Sequence, residues 1–188
     1  MPPRFKFTKD EITAAALNVT RKEGISGLTA RALAAELGCS VKPIFGWFKN
    51  MEEVLQEVIS SAKTLYQSYL KEDMEKGTYP PYKASGMAYI RFAKEEKELF
   101  KLLFMRDRSH ETIKENTEEL MPILQIIQKN TGMNANEAYT FHIEMWIFVH
   151  GMATMIATNY LDLDETYISN VLTDAYEGIK SRFEKKQE

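Results

Sequence analysis

Residues 28–48 read LTARALAAELGCSVKPIFGWF, two short helical patterns on either side of Gly38-Cys39-Ser40. In the first, Thr29 has the side chain of a helix N-cap. Ala30, Leu33, Ala34 and Leu37 follow at i, i+3, i+4, i+7, the spacing of one helix face. Gly38 can take the left-handed conformation that ends a helix, because it has no Cβ to clash. Ser40 stands where it would cap the second pattern, and Pro43 falls in its first turn, where a missing N–H costs little. Ile44, Phe45 and Phe48 would form the inner face of that second helix. Two helices joined by a short turn containing glycine are the sequence form of a helix-turn-helix.

The flanks extend the pattern. Thr8 and Glu11 have capping-box spacing at the start of a helix, and Phe7 can staple onto Ile12. That helix runs through Ile12, Ala15, Ala16 and Val19 to Glu23-Gly24, where glycine ends it. After Lys49-Asn50 a further helical pattern begins near Met51. The order of helix, glycine break, motif pair and long following helix resembles the TetR family of bacterial repressors. The resemblance rests on Leu28-Thr29-x-Arg31-x-Leu33-Ala34-x-x-Leu37-Gly38-x-Ser40, then Ile44-Phe45, then Trp47-Phe48-Lys49-Asn50-x-Glu52. It is detailed over residues 8–58 and architectural beyond, apart from Trp146-x-x-x-His150-Gly151, which is similar to a helix motif of several effector-domain subgroups.

Composition agrees with an all-α chain. Of 188 residues 44% are hydrophobic, enough for a real core, while Gly and Pro are few and strand-like alternation is absent. Cys39 is the only cysteine, so no disulfide framework is possible and a reducing cytoplasm is expected. The opening MPPRFKFTKDE lacks the apolar segment of a secretion signal. The most apolar region, about 138–160, contains His142, Glu144 and His150, which argues against a membrane span. The net charge of −3 hides an asymmetry: residues 1–50 hold eight Lys/Arg and four Asp/Glu, a balance of +4, leaving −7 for the rest. A basic head on an acidic body is the footprint of a chain in which only the head meets phosphate.

Beyond the motif, helical spacing predicts one long helix from Glu52 to about Lys76, stopped by Gly77 and Pro80-Pro81. A segment over 81–95 and the apolar run Leu99–Met105 follow, then a polar stretch from Arg106 to Asn116. Helices are expected over about 117–130, from Asn136 to about Tyr160, and from an Asp164 cap to about Lys185. The helix from Asn136 is apolar on two stripes, one through Phe141, Met145, Phe148, Met152 and Met155 and one through His142, Trp146, Val149, Ala153 and Ile156. A helix greasy on two faces must be covered on two faces. The last two helices can therefore pair with those of a second subunit as a four-helix bundle, which is how the family dimerises.

The resemblance divides the chain into a helix-turn-helix DNA-binding domain, 1–51, and a helical ligand-binding and dimerisation domain, 52–188. Major-groove reading uses the start of the second motif helix, so Val41, Lys42 and Pro43 would face bases, with Gly46 one turn on. Lys42 can bond guanine or phosphate, and Val41 and Pro43 can touch thymine methyls. Arg31 stands where some family members read a base or a phosphate. Lys49, Arg4 and Lys6 suit phosphate contacts that set register. Thr29, Ser40, Phe45 and Trp47 complete the DNA-facing set. Departures from the family pattern stand beside it: Phe45 replaces a phosphate-bonding tyrosine, Trp47 a histidine, and Met51 a phosphate-binding lysine. The Trp47 indole N–H can still donate to a phosphate.

The resemblance also implies an effector pocket in the C-terminal domain. Tyr66, Phe92, Phe100, Phe104 and Met105 are one half of an expected lining, and Phe141, Met145, Trp146, His150 and Met155 the other. Flexible methionine with aromatics suits an apolar or planar ligand. His142 and His150 are eight apart, with Glu144 on another face, so no metal set is expected and no cofactor is implied. The expected function is a dimeric repressor of operator DNA released by a small molecule. Its rivals are a helical small-molecule or protein-interaction module that has lost DNA reading and a helical-bundle enzyme. The enzyme is disfavoured by the lack of Glu-x-x-His, a P-loop, G-x-G-x-x-G or paired cysteines.

Overall fold

The computed structural model describes residues 7–107 and 113–184, the first seven of the latter by backbone alone. Among the described residues there are eight α-helices, one 3-10 turn and no strand. The helices are α1 (Lys9–Gly27), α2 (Ala30–Glu36), α3 (Met51–Lys76), α4 (Pro81–Glu95), α5 (Lys97–Phe104), α6 (Ile113–Thr131), α7 (Ala135–Ala157) and α8 (Glu165–Glu184). Contacts divide the chain into two compact units. The first holds the residues up to Gln67 together with Glu96–Arg106, and the second holds Ser68–Glu95 and the residues from Asp107 on. This division by packing differs from the expected boundary at 51/52, because α3 contributes to both units and α5 belongs to the first.

In the first unit α1 opens as its sequence dictates. The Thr8 hydroxyl accepts the Glu11 N–H at 3.2 Å, and the Glu11 carboxylate accepts the Thr8 N–H at 2.8 Å, a complete capping box. Phe7 packs onto the core beside Ile12. Gly24, at φ 72° and ψ −177°, interrupts the helix in a conformation that side chains with a Cβ avoid. Thr29 caps α2, its hydroxyl accepting the Ala32 N–H at 3.1 Å, and Gly38 turns the chain out of it at φ 60°. Ile12, Leu33, Ile44, Val54 and Val58 meet in a core where each is fully buried. Burial at that level stabilises by about 1.5–3 kcal/mol per large aliphatic side chain. Leu102 brings α5 into the same core, and Arg21 holds Glu96 at 2.6 Å at the start of that helix. Gly24 packs against α5 so closely that a Cβ there would lie 2.7 Å from the Glu98 carboxylate. Asn50 caps α3, accepting the Glu53 N–H at 3.0 Å, while Glu53 accepts the Lys49 N–H at 2.8 Å.

The second motif helix departs from its expected form. Residues 41–47 make a turn and a 3-10 helix, Ile44–Gly46, rather than a regular α-helix. The Ile44, Gly46 and Trp47 amides donate three residues back, to Val41, Pro43 and Ile44. Pro43 has no N–H to give, Gly46 is a poor helix former, and the segment is too short to recover the nucleation cost. The 3-10 turn starts at Pro43 without a side-chain cap, so Ser40 is not its N-cap. Its inner face is Ile44 and Phe48 alone; Phe45 turns outward and is exposed.

In the second unit α4, α6, α7 and α8 pack together. α6 begins at Ile113, four residues before the expected start, and Gly132 ends the helix pattern at φ 74°. α7 begins at Ala135, one residue before the expected start at Asn136, with Asn134 as its cap in a capping box with Glu137. Asp164 caps α8 as expected, accepting the Tyr167 N–H at 2.8 Å. Phe141 is fully buried with its ring 5.9 Å from Tyr82, 5.2 Å from Tyr176 and 6.1 Å from Phe183. The buried stripe of α7 is Phe141, Met145, Val149, Met152 and Ile156. Phe148 and Met155, expected on the same stripe as Phe141, are exposed instead. Arg91 joins α4 to the end of α3 through Asp73 at 3.0 Å and Glu72 at 3.1 Å, with its guanidinium 4.1 Å from the Tyr69 ring. Burial works against the Arg91 charge, but its bonds to Asp73 and Glu72 outweigh this and raise its pKa.

Candidate nucleic-acid interface and effector region

The turn after α2 and the 3-10 helix bring most of the expected DNA-facing residues onto the exposed surface of the first unit. Thr29, Arg31, Ser40, Val41, Lys42, Phe45, Gly46, Trp47 and Lys49 are all exposed there, and Pro43 is half-buried. Arg4 and Lys6 lie outside the described residues. What the fold adds is which charges are already engaged. Lys9 pairs with Glu57, Arg21 with Glu96, Lys22 with Glu36 at 3.0 Å, and Lys49 with Glu53 at 3.6 Å. Arg31 and Lys42 make no hydrogen bond or ion pair among the described residues. A cation without an internal partner keeps its full charge for an incoming anion, whereas a paired one must first give up its carboxylate.

Trp47 is used differently from its expected role. Its indole N–H donates to the Phe7 carbonyl at 2.8 Å, so it fastens the segment ahead of α1 to the motif turn. A phosphate would have to displace that bond, and the ring then offers an apolar surface rather than a donor. Thr29 likewise already accepts the Ala32 N–H.

The expected effector residues fall in both units. In the first, Tyr66 meets Phe104 edge-on at 5.3 Å, and Phe104 lies 5.2 Å from the fully buried Phe100. Met105 is exposed at the end of α5. In the second, Phe92, Phe141 and Met145 are buried core residues. Trp146 is half out of the surface, stacked on the His150 imidazole at 5.1 Å and 17° between planes, and Met155 is exposed.

Two tyrosines of α4, neither of them in the expected effector lining, partner the histidines of α7. Tyr82 hydroxyl and His142 Nδ1 are 3.2 Å apart, and Tyr89 hydroxyl and His150 Nδ1 are 2.8 Å apart. Burial lowers the pKa of both histidines and raises that of Tyr82. The seven-residue step from Tyr82 to Tyr89 and the eight-residue step from His142 to His150 are the signal that was there to be read. No group of His, Cys, Asp and Glu among the described residues is arranged to hold a metal ion. No helix among them is long and apolar enough to cross a membrane.

Comparisons with known proteins bear on both units. A family described as bacterial regulatory proteins, tetR family, matches residues 12–58. A family described as tetracyclin repressor-like, C-terminal domain, matches residues 82–174. Together these matches, of 47 and 93 residues, take in about three quarters of the 188. No curated protein matches the chain significantly. Among solved structures, the fold is similar to that of a TetR-like transcriptional regulator from Rhodococcus sp. RHA1, at 13% identity over 97% of each chain with a TM-score of 0.68. It is also similar to a protein of unknown function from Rhodococcus sp. RHA1, at 21% identity over 96% of this chain and 98% of that one, with a TM-score of 0.67. The chain belongs to the TetR family of bacterial transcriptional regulators, with an N-terminal helix-turn-helix DNA-binding domain followed by a helical C-terminal domain.

Proposed function

We propose that this regulator binds operator DNA as a homodimer and acts as a cytoplasmic repressor that a small apolar or aromatic ligand releases. The observation that carries the DNA reading is the contrast among the basic residues of the first unit. Lys9, Arg21, Lys22 and Lys49 are engaged by carboxylates, while Arg31 and Lys42, at the motif, and Lys63, on α3, are exposed and unengaged among the described residues. Arg31, Ser40, Val41, Lys42 and Gly46 form the proposed reading edge, with Pro43 shaping the turn that carries it, and Lys49 would reach a phosphate only by giving up Glu53.

Dimerisation through α7 and α8 is supported by the apolar side chains those helices leave in water. Trp146, Phe148 and Met155 are about 40% exposed, Ile147 is 60% exposed, and Tyr167 on α8 is 54% exposed. A patch of that kind marks an interaction surface, and a two-fold pair would cover it on both copies at once. The effector is proposed to enter the C-terminal domain. There the hydrogen-bonded Tyr89–His150 pair beneath Trp146 offers a polar handle beside apolar surface. A coupling of about 1–3 kcal/mol between ligand and DNA would lower operator affinity roughly 5–150-fold.

Titration of the purified protein on its own upstream intergenic DNA, followed by gel shift and by sedimentation, tests the reading. Salt-dependent binding of a dimer is expected, with release by at least one planar aromatic compound from a panel. Retention with every compound would leave induction without support. The second reading, an interaction module that no longer reads DNA, is favoured by Phe45, Met51 and the engagement of the Trp47 N–H by Phe7. Indifference to every duplex at low salt would decide for it.

A further inference from the structure

Within the exposed turn 41–47, Lys42 is the one hydrogen-bonding side chain whose donors are not already engaged, and the large side chains beside it are apolar. Val41 is 39% exposed and Phe45 is 43% exposed, at opposite ends of a single turn, and the Trp47 ring beside them has its only donor on the Phe7 carbonyl. Between them stands Lys42, a flexible point charge with donors and no acceptor, which meets a phosphate as readily as a guanine. The unengaged cations Lys42 and Arg31 beside this apolar edge suit the charge of a duplex and argue against an apolar protein partner. Of the four bases, only thymine shows an apolar group, its 5-methyl, on the major-groove edge.

The geometry points to Val41 and Phe45 as the specificity-determining pair of this regulator: they read thymine 5-methyl groups in the major groove, so that operator choice rests on apolar contact. This inference stands on the DNA reading above and goes beyond it by naming what is read and by which side chains. Pro43, which sequence spacing had placed beside Val41 for that role, is half-buried at the start of the 3-10 turn and serves to shape it. Phe45 takes its place because the 3-10 geometry turns it outward.

Each methyl group buried against an apolar side chain is worth roughly 4-fold in affinity, and one per half-site of a dimer roughly 15-fold. The test begins with the full-length protein and a pool of random duplexes, from which the tightest-bound sequence is selected in vitro. That duplex is then remade with uracil for every thymine, which removes the 5-methyl groups and keeps every hydrogen-bonding edge. Wild-type protein is expected to bind the uracil duplex at least roughly 15-fold more weakly, while its affinity for an unselected duplex stays unchanged on the same replacement. Val41→Ala and Phe45→Ala, both at exposed positions, are expected to shrink the thymine–uracil difference several-fold, with unaltered helical circular dichroism. Equal binding of the two forms of the selected duplex would overturn the methyl reading and leave sequence-specific DNA binding standing. A uracil effect undiminished in both variants would also overturn it, by assigning the effect to duplex shape. Binding to no duplex at all would remove the DNA reading and this inference with it.

Discussion

Replacing both Arg31 and Lys42 by alanine should change the salt dependence of DNA binding more than any other pair of substitutions among the described basic residues. Both side chains are exposed and have no partner among the described residues, so each is available to displace a counterion from a phosphate. A dimer carries four such cations. With a slope of about −0.9 per neutralised phosphate in log affinity against log salt, the double variant should lose about 3.6 from the slope. Between about 50 and 200 mM salt the wild-type protein would then lose roughly 150-fold more affinity than the variant. Fluorescence anisotropy of a labelled duplex, titrated at five salt concentrations across that range, measures both slopes. Lys22→Ala is the comparison: Lys22 is exposed but held by Glu36, so removing it should move the slope by less than about 1. A double variant whose slope matches wild type within about 1 would refute the assignment of these two residues to DNA. An equal effect of Lys22→Ala would refute the argument from pairing.

Three further outcomes test other parts of the structure. Gly24→Ala places a Cβ at φ 72° and ψ −177° and 2.7 Å from a Glu98 oxygen, a carboxylate that Lys101 holds at 2.6 Å. It should cost about 2 kcal/mol and lower the melting temperature by roughly 4–8 °C; an unchanged melting temperature would show that the kink is not required. Ile147→Asp, at a position 60% exposed within one chain, should leave the fold intact and convert a dimer to monomer in sedimentation velocity, since two-fold packing would bury the new charge unpaired. A wild-type protein that sediments as a monomer refutes the dimer face outright. His142 and His150 are held by burial below their ordinary value of 6.5, so the unfolded chain takes up these protons more readily than the folded one. Their contribution to stability is complete above about pH 6.5 and is lost as pH falls below it towards the depressed values. Urea midpoints measured from about pH 7.5 to 5 should fall less steeply in the His142→Asn, His150→Asn double variant than in wild type, and identical slopes would contradict the assignment.

What the amino-acid sequence determined by itself is local. The Thr8–Glu11 capping box, the Thr29 cap, the Gly24 break, the Gly38 turn and the Asp164 cap all depend on groups within three or four residues of one another. Side-chain type and spacing therefore dictate them before any packing occurs. The motif residues that carry the family likeness are of the same local kind, which is why all-α architecture and TetR membership were legible at once.

Other features are decided only when distant segments meet. Lys9 is engaged by Glu57 and Arg21 by Glu96, partners 48 and 75 residues away, so no periodicity distinguishes them from Arg31 and Lys42. The Trp47 indole looked available to a phosphate until folding brought the Phe7 carbonyl, 40 residues earlier, within 2.8 Å. α5 joins the first unit because Leu102 completes a core begun by Ile12 and Leu33, although it follows α4 in the chain. The apolar spacing of 41–48 is that of a helix, yet a proline without a donor and a glycine left it as a 3-10 turn with Phe45 outside. Spacing records which residues can share a face. Which face is covered, and which charge is answered, depends on surfaces that only the tertiary structure assembles.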